Sequence, residues 1–395
     1  MTIFSWQNIY QAYCDCRESK RGTASALKFE WALERNIFSL QKELIARTYF
    51  PGRSICFVVI KPKPREIFAA DFRDRIVHHI LINQLEEIGE RIFVFDSFSC
   101  RPGKGTHSTI KRLRKFIGSI TRNYQQKAFY AQLDVSGFFM GINHQILCRI
   151  LKEEIIKQPQ SHQWKEEVLW LSKTIIFSRP TENYLWKGDP CLLQLIPPRK
   201  SLFHTGPDRG LPIGNYSSQF FANLYLNRLD QYVKRVLKAK YYLRYVDDFI
   251  LLHRDKEQLE SWTKQIGQFL EKELSLELNP TKTKIRNLNR GIDFLGYFVK
   301  PTFLIVRQSV VKRLKEKLFQ FNQELRVNNS TNQKIKKERL DKMLATVNSY
   351  YGHFKHANSY HLRLSLYEDH FGLLKRHLRP IDSAFSHFKT FGPTS

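Results

Sequence analysis

The sequence lacks the cysteine patterns that build disulfide frameworks and zinc sites. Its six cysteines are scattered over 395 residues, without a CxxC pair or the Cys/His spacing of structural zinc. We therefore expect free thiols in a reducing compartment. The N-terminus lacks a basic segment followed by an apolar one, and no apolar run approaches the ~18 residues of a membrane span. These absences predict a soluble, cytoplasmic protein with no membrane partner.

Acidic residues are also few. Lysine and arginine number 64 against 37 aspartates and glutamates, which gives a formal charge of +27. Such an excess favours a polyanionic partner, above all nucleic acid, although a basic surface without a ligand is the plainer alternative. The hydrophobic content of 42% is enough for a globular core, so the chain is not a disordered basic tail.

The first half of the chain predicts a helix followed by a hairpin. Apolar residues recur at helical spacing from Phe29 to Leu44, which predicts one amphipathic helix near the N-terminus. The segment ICFVVIKPKPREIFAA is rich in branched and aromatic residues and is broken by prolines. It predicts a hairpin that carries Lys61, Lys63 and Arg65 on its connection.

Two later segments place carboxylates next to apolar strands. FYAQLDVSGFF predicts a buried strand ending at Asp134, and YYLRYV and FILLH predict a hairpin with Asp247 and Asp248 at its tip. Between them, SSQFFANLYLNRLDQYVKRVL predicts one long helix whose apolar stripe runs to Val236. The last ninety or so residues are predicted to be helical, with one apolar stripe from Val310 to Leu325 and a polar basic loop at 326–338.

Asp134, Asp247 and Asp248 are candidate metal ligands. A carboxylate beside a buried strand is costly unless it is paired or bound to a metal. Hard oxygen ligands suit Mg²⁺, and two such ions would activate a hydroxyl and stabilise a triphosphate in phosphoryl transfer. Taken singly, the same residues are also compatible with an ordinary hairpin turn and a strand-end cap.

The order of these segments resembles the palm of reverse transcriptases. LDVSGFF, GLPIGNYSSQFFANLYL, RYVDDFILL, LELNPTKTKI and GIDFLGY resemble successive palm motifs, and KPKPREIFAADFRDRIVHHIL and SFSCRPGKGTHSTI resemble fingers segments. The resemblance implies an α+β right-hand polymerase with an antiparallel palm sheet and a helical thumb. The expected parts are an N-terminal helical extension at 1–55, fingers at 56–130, a palm at 131–300 with an insertion at about 155–209, and a thumb at 301–395.

The resemblance also implies a role for each matching residue. Asp134 and Asp247 would hold two Mg²⁺ ions, with Mn²⁺ as an alternative, while Asp248 is the third carboxylate and the Val135 carbonyl an extra ligand. Phe139 would be the steric gate that excludes a 2′-hydroxyl, although an ordinary core aromatic is the alternative. The residues expected at the nucleotide are Lys61, Lys63, Arg65, Phe138, Phe139, Ile213, Gly214, Gln219 and Lys282. The turn expected to grip the primer is formed by Phe294, Leu295 and Gly296.

One departure from the family pattern bears on the biological role. Ile213 stands where most reverse transcriptases have a glutamine, which resembles the enzymes of diversity-generating retroelements. The long insertion also resembles related bacterial reverse transcriptases that act in antiphage defence. Within the insertion, Trp186, Lys187, Arg199 and Lys200 either contact RNA or belong to a plain surface excursion.

The expected function is therefore RNA-directed DNA synthesis. The implied partners are a dedicated non-coding RNA template, a DNA or RNA primer with its cDNA product, and deoxynucleoside triphosphates; an accessory protein or an oligomer is left open. A catalytically silent RNA-binding protein would show the same charge and aromatic residues. An RNA-dependent RNA polymerase is the rival enzyme, and the bulk of Phe139 argues against it.

Overall fold

The computed structural model describes residues 2–18, 20–330 and 335–391, so part of the predicted basic loop, at 331–334, lies outside the described residues. The α-helices are α1 (Trp6–Glu18), α2 (Ala24–Glu30), α3 (Leu33–Ile45), α4 (Phe72–Ile92), α5 (Thr106–Ile120), α6 (Phe138–Gly141), α7 (His144–Ile156), α8 (His162–Ile176), α9 (Tyr216–Gln231), α10 (Lys256–Leu274), α11 (Gln308–Ser330), α12 (Lys337–Phe354) and α13 (Tyr360–His370). The strands are β1 (Ser54–Val59), β2 (Arg65–Ala69), β3 (Phe129–Asp134), β4 (Tyr184–Trp186), β5 (Tyr242–Tyr245), β6 (Asp248–His253), β7 (Lys284–Asn287), β8 (Ile292–Phe294), β9 (Tyr297–Val299), β10 (Leu304–Val306), β11 (Leu378–Pro380) and β12 (Phe388–Thr390).

These elements form two compact units. Unit 1 contains the chain up to Gly105 together with Ala131–Leu251 and Lys256–Ile285. Unit 2 contains Thr106–Tyr130, Leu252–Asp255 and the chain from Arg286 onward. The mixture of helices and sheets agrees with the predicted α+β class.

In unit 1, helix α4 packs against both α1 and α9. Asp71 caps the start of α4, because its side chain accepts a hydrogen bond from the backbone N–H of Arg73. The buried face of α4 includes Ile76, Ile80 and Leu81, each at most 1% exposed. This apolar face anchors the helix in the core of unit 1.

Two sheets carry the candidate site residues. The first has the order β2-β1-β4, in which β1 and β2 form the predicted antiparallel hairpin and β4 pairs with β1 in parallel. The second has the order β5-β6-β3-β7, and its β5–β6 pair is the second predicted hairpin. The ends of β3 and β6 that carry Asp134 and Asp248 belong to unit 1.

Unit 2 has its own core. The apolar stripe of α11 predicted from the sequence is buried there against α12, with Leu314 and Leu318 fully inaccessible. Tyr351 of α12 and Phe371 join the same cluster, and their rings meet edge to face at 5.9 Å between centroids. The helical character of the C-terminal segment is thus confirmed, with short β8–β10 and β11–β12 sheets added to it. Within the described ranges, no helix combines the length and the apolar character that crossing a membrane requires.

Two helix predictions were wrong in detail. The predicted helix from Phe29 to Leu44 is interrupted between α2 and α3, where Ala32 has non-helical backbone angles. The side-chain amide of Asn36 donates a hydrogen bond to the Phe29 carbonyl at 2.8 Å. This bond replaces the backbone N–H that the carbonyl would have had as its partner in a continuous helix. The stripe of α9 does not reach Val236, because the helix widens to a π-turn from Tyr232 and leaves Val236 65% exposed.

Candidate active site

Asp134 lies at the buried end of β3 and is held by the turn that follows Leu278. The Asp134 carbonyl accepts a hydrogen bond from the Asn279 N–H at 2.7 Å, and the Asn279 amide donates to Asp134 Oδ2 at 3.2 Å. The Lys282 ammonium lies 2.6 Å from both carboxylate oxygens. Asp134 is only 5% exposed, so Lys282 supplies the positive charge that its burial requires.

Asp247 and Asp248 occupy the tip of the β5–β6 hairpin, as predicted. Tyr245 pairs with Asp248, so Val246 and Asp247 form a two-residue loop. Val246 has φ +56, which is strongly disfavoured for a β-branched residue and marks local strain. The turn therefore needs support from its surroundings.

Arg244 provides that support, together with Asp230 of α9. The Arg244 guanidinium donates to the Val246 carbonyl at 2.9 Å, to both carboxylate oxygens of Asp230 and to the Asn223 side chain. The Tyr242 hydroxyl donates to Asp230 at 2.5 Å. Arg244 and Asp230 are 1% and 0% exposed. Burial opposes the Arg244 charge, but Asp230 outweighs it and raises the pKa of the guanidinium.

The three carboxylates lie within electrostatic reach of one another. Burial raises the pKa of Asp247, and the charge of Asp134 raises it further. Burial, Asp247 and Asp134 raise the pKa of Asp248 to about 7, while Lys282 and Lys63 act in the opposite direction. These shifts therefore reflect burial first and the mutual repulsion of neighbouring carboxylates second.

These side chains are suited to a hard divalent cation, although they do not form a closed cage. Throughout the described ranges, no three His, Cys, Asp or Glu side chains converge in a ready-made metal geometry. The bridge between Val135 and Leu278 uses the Asp134 carbonyl and the Ser136 N–H, which leaves the Val135 carbonyl out of the ladder. Carboxylate and carbonyl oxygens are the donors that Mg²⁺ takes.

The β1–β2 hairpin brings cations to the same carboxylates: Lys61 and Lys63 lie on its connection as predicted, whereas Arg65 is the first residue of β2. Lys63 and Arg65 are exposed, and they lie close enough to lower the pKa of Asp248 and of Asp247, respectively. Lys61 is exposed on the same connection. A triphosphate placed over the carboxylates would meet these cations, because guanidinium and ammonium groups are strong phosphate donors.

Phe139 and Ile213 are half-buried and pack against the same apolar cluster, which is formed by Cys56, Phe68, Met140 and Leu202. Phe138, by contrast, is buried. The Ile213 carbonyl accepts a hydrogen bond from the Phe68 N–H at 2.9 Å.

Gly214 lies against strand β2 of the β1–β2 hairpin. It has φ +125, and a Cβ there would stand 2.8 Å from the Ile67 side chain, so this position requires glycine. Gln219 lines a cavity on α4 and α9 together with Glu86, Glu90 and Tyr216.

The predicted primer-grip residues form a tight turn in unit 2. Phe294 and Tyr297 pair across it, and the two residues between them have positive φ, +49 at Leu295 and +84 at Gly296. A Cβ at Gly296 would lie 3.0 Å from the His353 ring. The turn is therefore a well-defined feature of unit 2.

Sequence reasoning missed the Arg244–Asp230 pair and the contacts of the 155–209 insertion. The signal for the pair was an arginine inside the otherwise apolar strand YYLRYV, matched by an aspartate in the apolar stripe of a long helix. Buried charges of that kind require partners. The signal for the insertion contacts was weaker, because its short strand and 3₁₀ turns have no periodic pattern.

Comparison with known proteins gives one family and several distant relatives. A family model described as "Reverse transcriptase (RNA-dependent DNA polymerase)" matches residues 60–299, more than half of the chain. Protein YkfC of Escherichia coli K12 is 26% identical over 65% of this chain and 69% of its own length. Group II intron-encoded protein LtrA of Lactococcus lactis subsp. cremoris is 22% identical over 77% of this chain and 56% of its own length.

Among solved structures, telomerase from Candida albicans with a TWJ fragment of telomeric RNA superposes with a TM-score of 0.48 and 13% identity. The match covers 82% of this chain and 60% of the telomerase chain.

Proposed function

The chain belongs to the reverse transcriptase family of RNA-directed DNA polymerases, and we propose that it copies a dedicated RNA template into cDNA by two-metal nucleotidyl transfer. The family match implies the right-hand polymerase fold, and we assign fingers to 56–130, palm to 131–300 and thumb to 301–395, after an N-terminal extension. The observation that carries the mechanism is the position of three carboxylates on neighbouring strands, with Asp134 at the end of β3 and Asp247 and Asp248 at the hairpin tip that opens β6. Lys63 and Arg65 lie close enough to act on these carboxylates.

Asp134 and Asp247 are the proposed ligands of two Mg²⁺ ions, with Mn²⁺ as the alternative. Asp248 is the third carboxylate, and the Val135 carbonyl is the proposed further oxygen donor. Ions bound there would activate the primer 3′-hydroxyl and neutralise the triphosphate and the leaving pyrophosphate. Lys282, which holds Asp134 through both oxygens, is positioned to turn towards that pyrophosphate.

The hairpin cations and the apolar cluster complete the nucleotide site. Lys63 and Arg65, with Lys61 beside them, bind the triphosphate. Phe139 excludes a 2′-hydroxyl, and its half-buried position on the cluster that also contacts Ile213 supports this role. The remaining nucleotide residues proposed from the family pattern are Phe138, Gly214 and Gln219.

The turn at Phe294, Leu295 and Gly296 is proposed to hold the primer terminus, and the basic surface to bind the template–primer duplex. The template is a dedicated non-coding RNA, in a bacterial antiphage-defence system or a diversity-generating retroelement. Ile213 in place of glutamine supports the retroelement alternative, and the long insertion at about 155–209 supports the defence alternative. Inspection of the neighbouring DNA tests the choice: paired repeats with a variable target gene indicate diversification, and a lone structured non-coding RNA indicates defence.

Primer extension tests the enzyme assignment. The wild-type protein, an RNA template, a DNA primer, dNTPs and Mg²⁺ are expected to yield cDNA, and EDTA to stop the reaction. The double variant Asp247→Ala/Asp248→Ala is expected to yield none while still binding the RNA, because the hydroxyl and the triphosphate lose their ions. The matched control is Asp341→Ala, since Asp341 is exposed on α12. Full-length cDNA from the double variant would overturn the metal assignment, and preferential use of ribonucleotides by the wild type would indicate an RNA polymerase.

A further inference from the structure

The segment between α8 and α9 is built into the nucleotide site instead of projecting from the surface. Its strand β4 pairs in parallel with β1, with Ser54 opposite Tyr184 and Cys56 opposite Trp186. The N–H of Lys187 then donates to the Cys56 carbonyl at 2.8 Å. The Trp186 side chain packs on the apolar cluster instead of facing solvent as a stacking platform. The segment is thus fixed to the hairpin that carries Lys63 and Arg65.

A second anchor involves Glu66, which follows Arg65 in β2. Glu66 is 1% exposed, and its carboxylate accepts hydrogen bonds from the Ser201 hydroxyl at 2.7 Å and from the Leu202 N–H. Leu202 also joins the cluster against which Phe139 packs. Residues 201 and 202 are therefore held beside the hairpin.

A third anchor lies on the other side, next to the metal-binding strand end. Gly137, three positions after Asp134, has φ +56, and a Cβ there would stand only 2.7 Å from the Arg199 carbonyl. This close approach is available only to glycine. Lys200 thus sits between two fixed neighbours, one against the Asp134 turn and the other against the hairpin.

Lys200 adds positive charge where positive charge is already concentrated. The residue is half-buried, and its pKa is lowered first by burial and then by Lys282, Lys63 and Arg199, with Asp134 acting in the opposite direction. No ion pair of Lys200 is found among the described residues. Like charges held together at a half-buried position repel unless an anion joins them.

We propose that Lys200 is a further phosphate-binding residue of the nucleotide site, supplied by the 155–209 insertion and directed at the triphosphate of the incoming deoxynucleotide. The proposal rests on the proposed polymerase function and extends it to a segment outside the motifs that resemble the family. The insertion lines one side of the site. Its backbone contacts Gly137 and Glu66, and its apolar residues pack on the cluster that also contacts Phe139. Lys200 of the insertion binds the phosphates.

Steady-state primer extension on poly(rA)/oligo(dT) with dTTP tests this role. Lys200→Ala is expected to raise the KM for dTTP about tenfold, the usual effect of losing one charge-assisted hydrogen bond to phosphate, while kcat changes less. Lys200→Arg is expected to restore most of the loss. The control is Lys173→Ala, because Lys173 is exposed on α8 and should leave KM unchanged.

Two binding measurements distinguish phosphate binding by Lys200 from a contribution of Lys200 to template–primer binding. The Ki of inorganic tripolyphosphate as a competitor of dTTP should rise in Lys200→Ala as KM does, and the Kd for the template–primer should not change. A wild-type KM in a folded, active Lys200→Ala variant would overturn the proposal, and so would a raised template–primer Kd without a change in KM. If the wild type makes no cDNA, the polymerase assignment fails, and tripolyphosphate binding to wild type and Lys200→Ala still tests the phosphate site.

Discussion

Removing the buried guanidinium of Arg244 should be among the most damaging single changes in unit 1. Arg244 makes hydrogen bonds to Asp230, Asn223 and the Val246 carbonyl from a position that is 1% exposed. In Arg244→Met, the carboxylate of Asp230 would stay buried with the Tyr242 hydroxyl as its remaining donor among these groups. Breaking one side of a buried ion pair typically costs about 3–5 kcal/mol of unfolding free energy, which is the loss expected here.

A double-mutant cycle tests whether the cost comes from the orphaned charge. Asp230→Asn alone leaves the guanidinium without its counter-charge and should also be strongly destabilising. Arg244→Met/Asp230→Asn has no buried charge, so its loss should be smaller than the sum of the two single losses by about 2 kcal/mol or more. Urea unfolding followed by tryptophan fluorescence measures all four proteins.

The matched control is the exposed pair of Lys256 and Glu260 on α10, which lies 2.8 Å apart. A parallel cycle there should show no measurable coupling, because solvent screens exposed ion pairs. Additive losses at Arg244 and Asp230, or a single-variant loss as small as that of the surface pair, would refute the reasoning.

Three further predictions address the gate, the turn and a buried histidine. Phe139→Ala should reduce the discrimination between dTTP and UTP roughly tenfold or more, measured as the ratio of kcat/KM values; unchanged discrimination would remove the gate role. Val246→Gly should raise the unfolding free energy by about 1 kcal/mol, because glycine adopts positive φ without strain, while kcat falls as the turn loosens; a less stable variant would contradict this. Burial lowers the pKa of His78 to about 3, so the unfolded chain binds a proton that the folded chain does not. Stability should therefore fall as the pH drops below 6.5, by up to about 1.4 kcal/mol per pH unit, and His78→Asn should flatten this dependence in urea titrations; an unchanged slope would contradict it.

Local patterns in the sequence were sufficient for the two hairpins and for the stripe of α11. Alternation and turn residues define a hairpin within a short window, and the apolar period of α11 coincides with its buried face. The interruption before α3 escaped prediction because the apolar spacing continues across it, and the side-chain bond from Asn36 that satisfies the Phe29 carbonyl leaves no periodic pattern. The exposure of Val236 escaped because one π-turn rotates the stripe away from the core.

The candidate site also contains residues that local sequence patterns predict and contacts that they do not. The carboxylates and the hairpin cations follow from strand ends and turns, which are local features. The close approach of Arg199 to Gly137 joins positions 62 residues apart (199 − 137 = 62). The hydrogen bond from Ser201 to Glu66 joins positions 135 residues apart (201 − 66 = 135). No periodicity encodes such contacts, so the position of Lys200 emerged only in three dimensions.

The strain at Val246 gives a reason for the buried ion pair of Arg244 and Asp230 next to the turn. A buried pair is weak evidence for stability, because well-packed apolar residues of similar size are often as stable. An apolar pair, however, could not donate a hydrogen bond to the Val246 carbonyl. Asp230 and Asn223 orient the guanidinium, and the guanidinium in turn holds a β-branched residue at φ +56.

The doubly substituted protein should therefore recover stability without recovering the geometry of the turn. Arg244→Met/Asp230→Asn should regain part of the unfolding free energy lost by either single variant, yet it should remain a poor polymerase under conditions where it is fully folded. The turn next to Asp247 and Asp248 would lack the donor that holds its geometry. If cDNA synthesis recovered together with stability, the pair would be structural only, and the strain at Val246 would need another source of support.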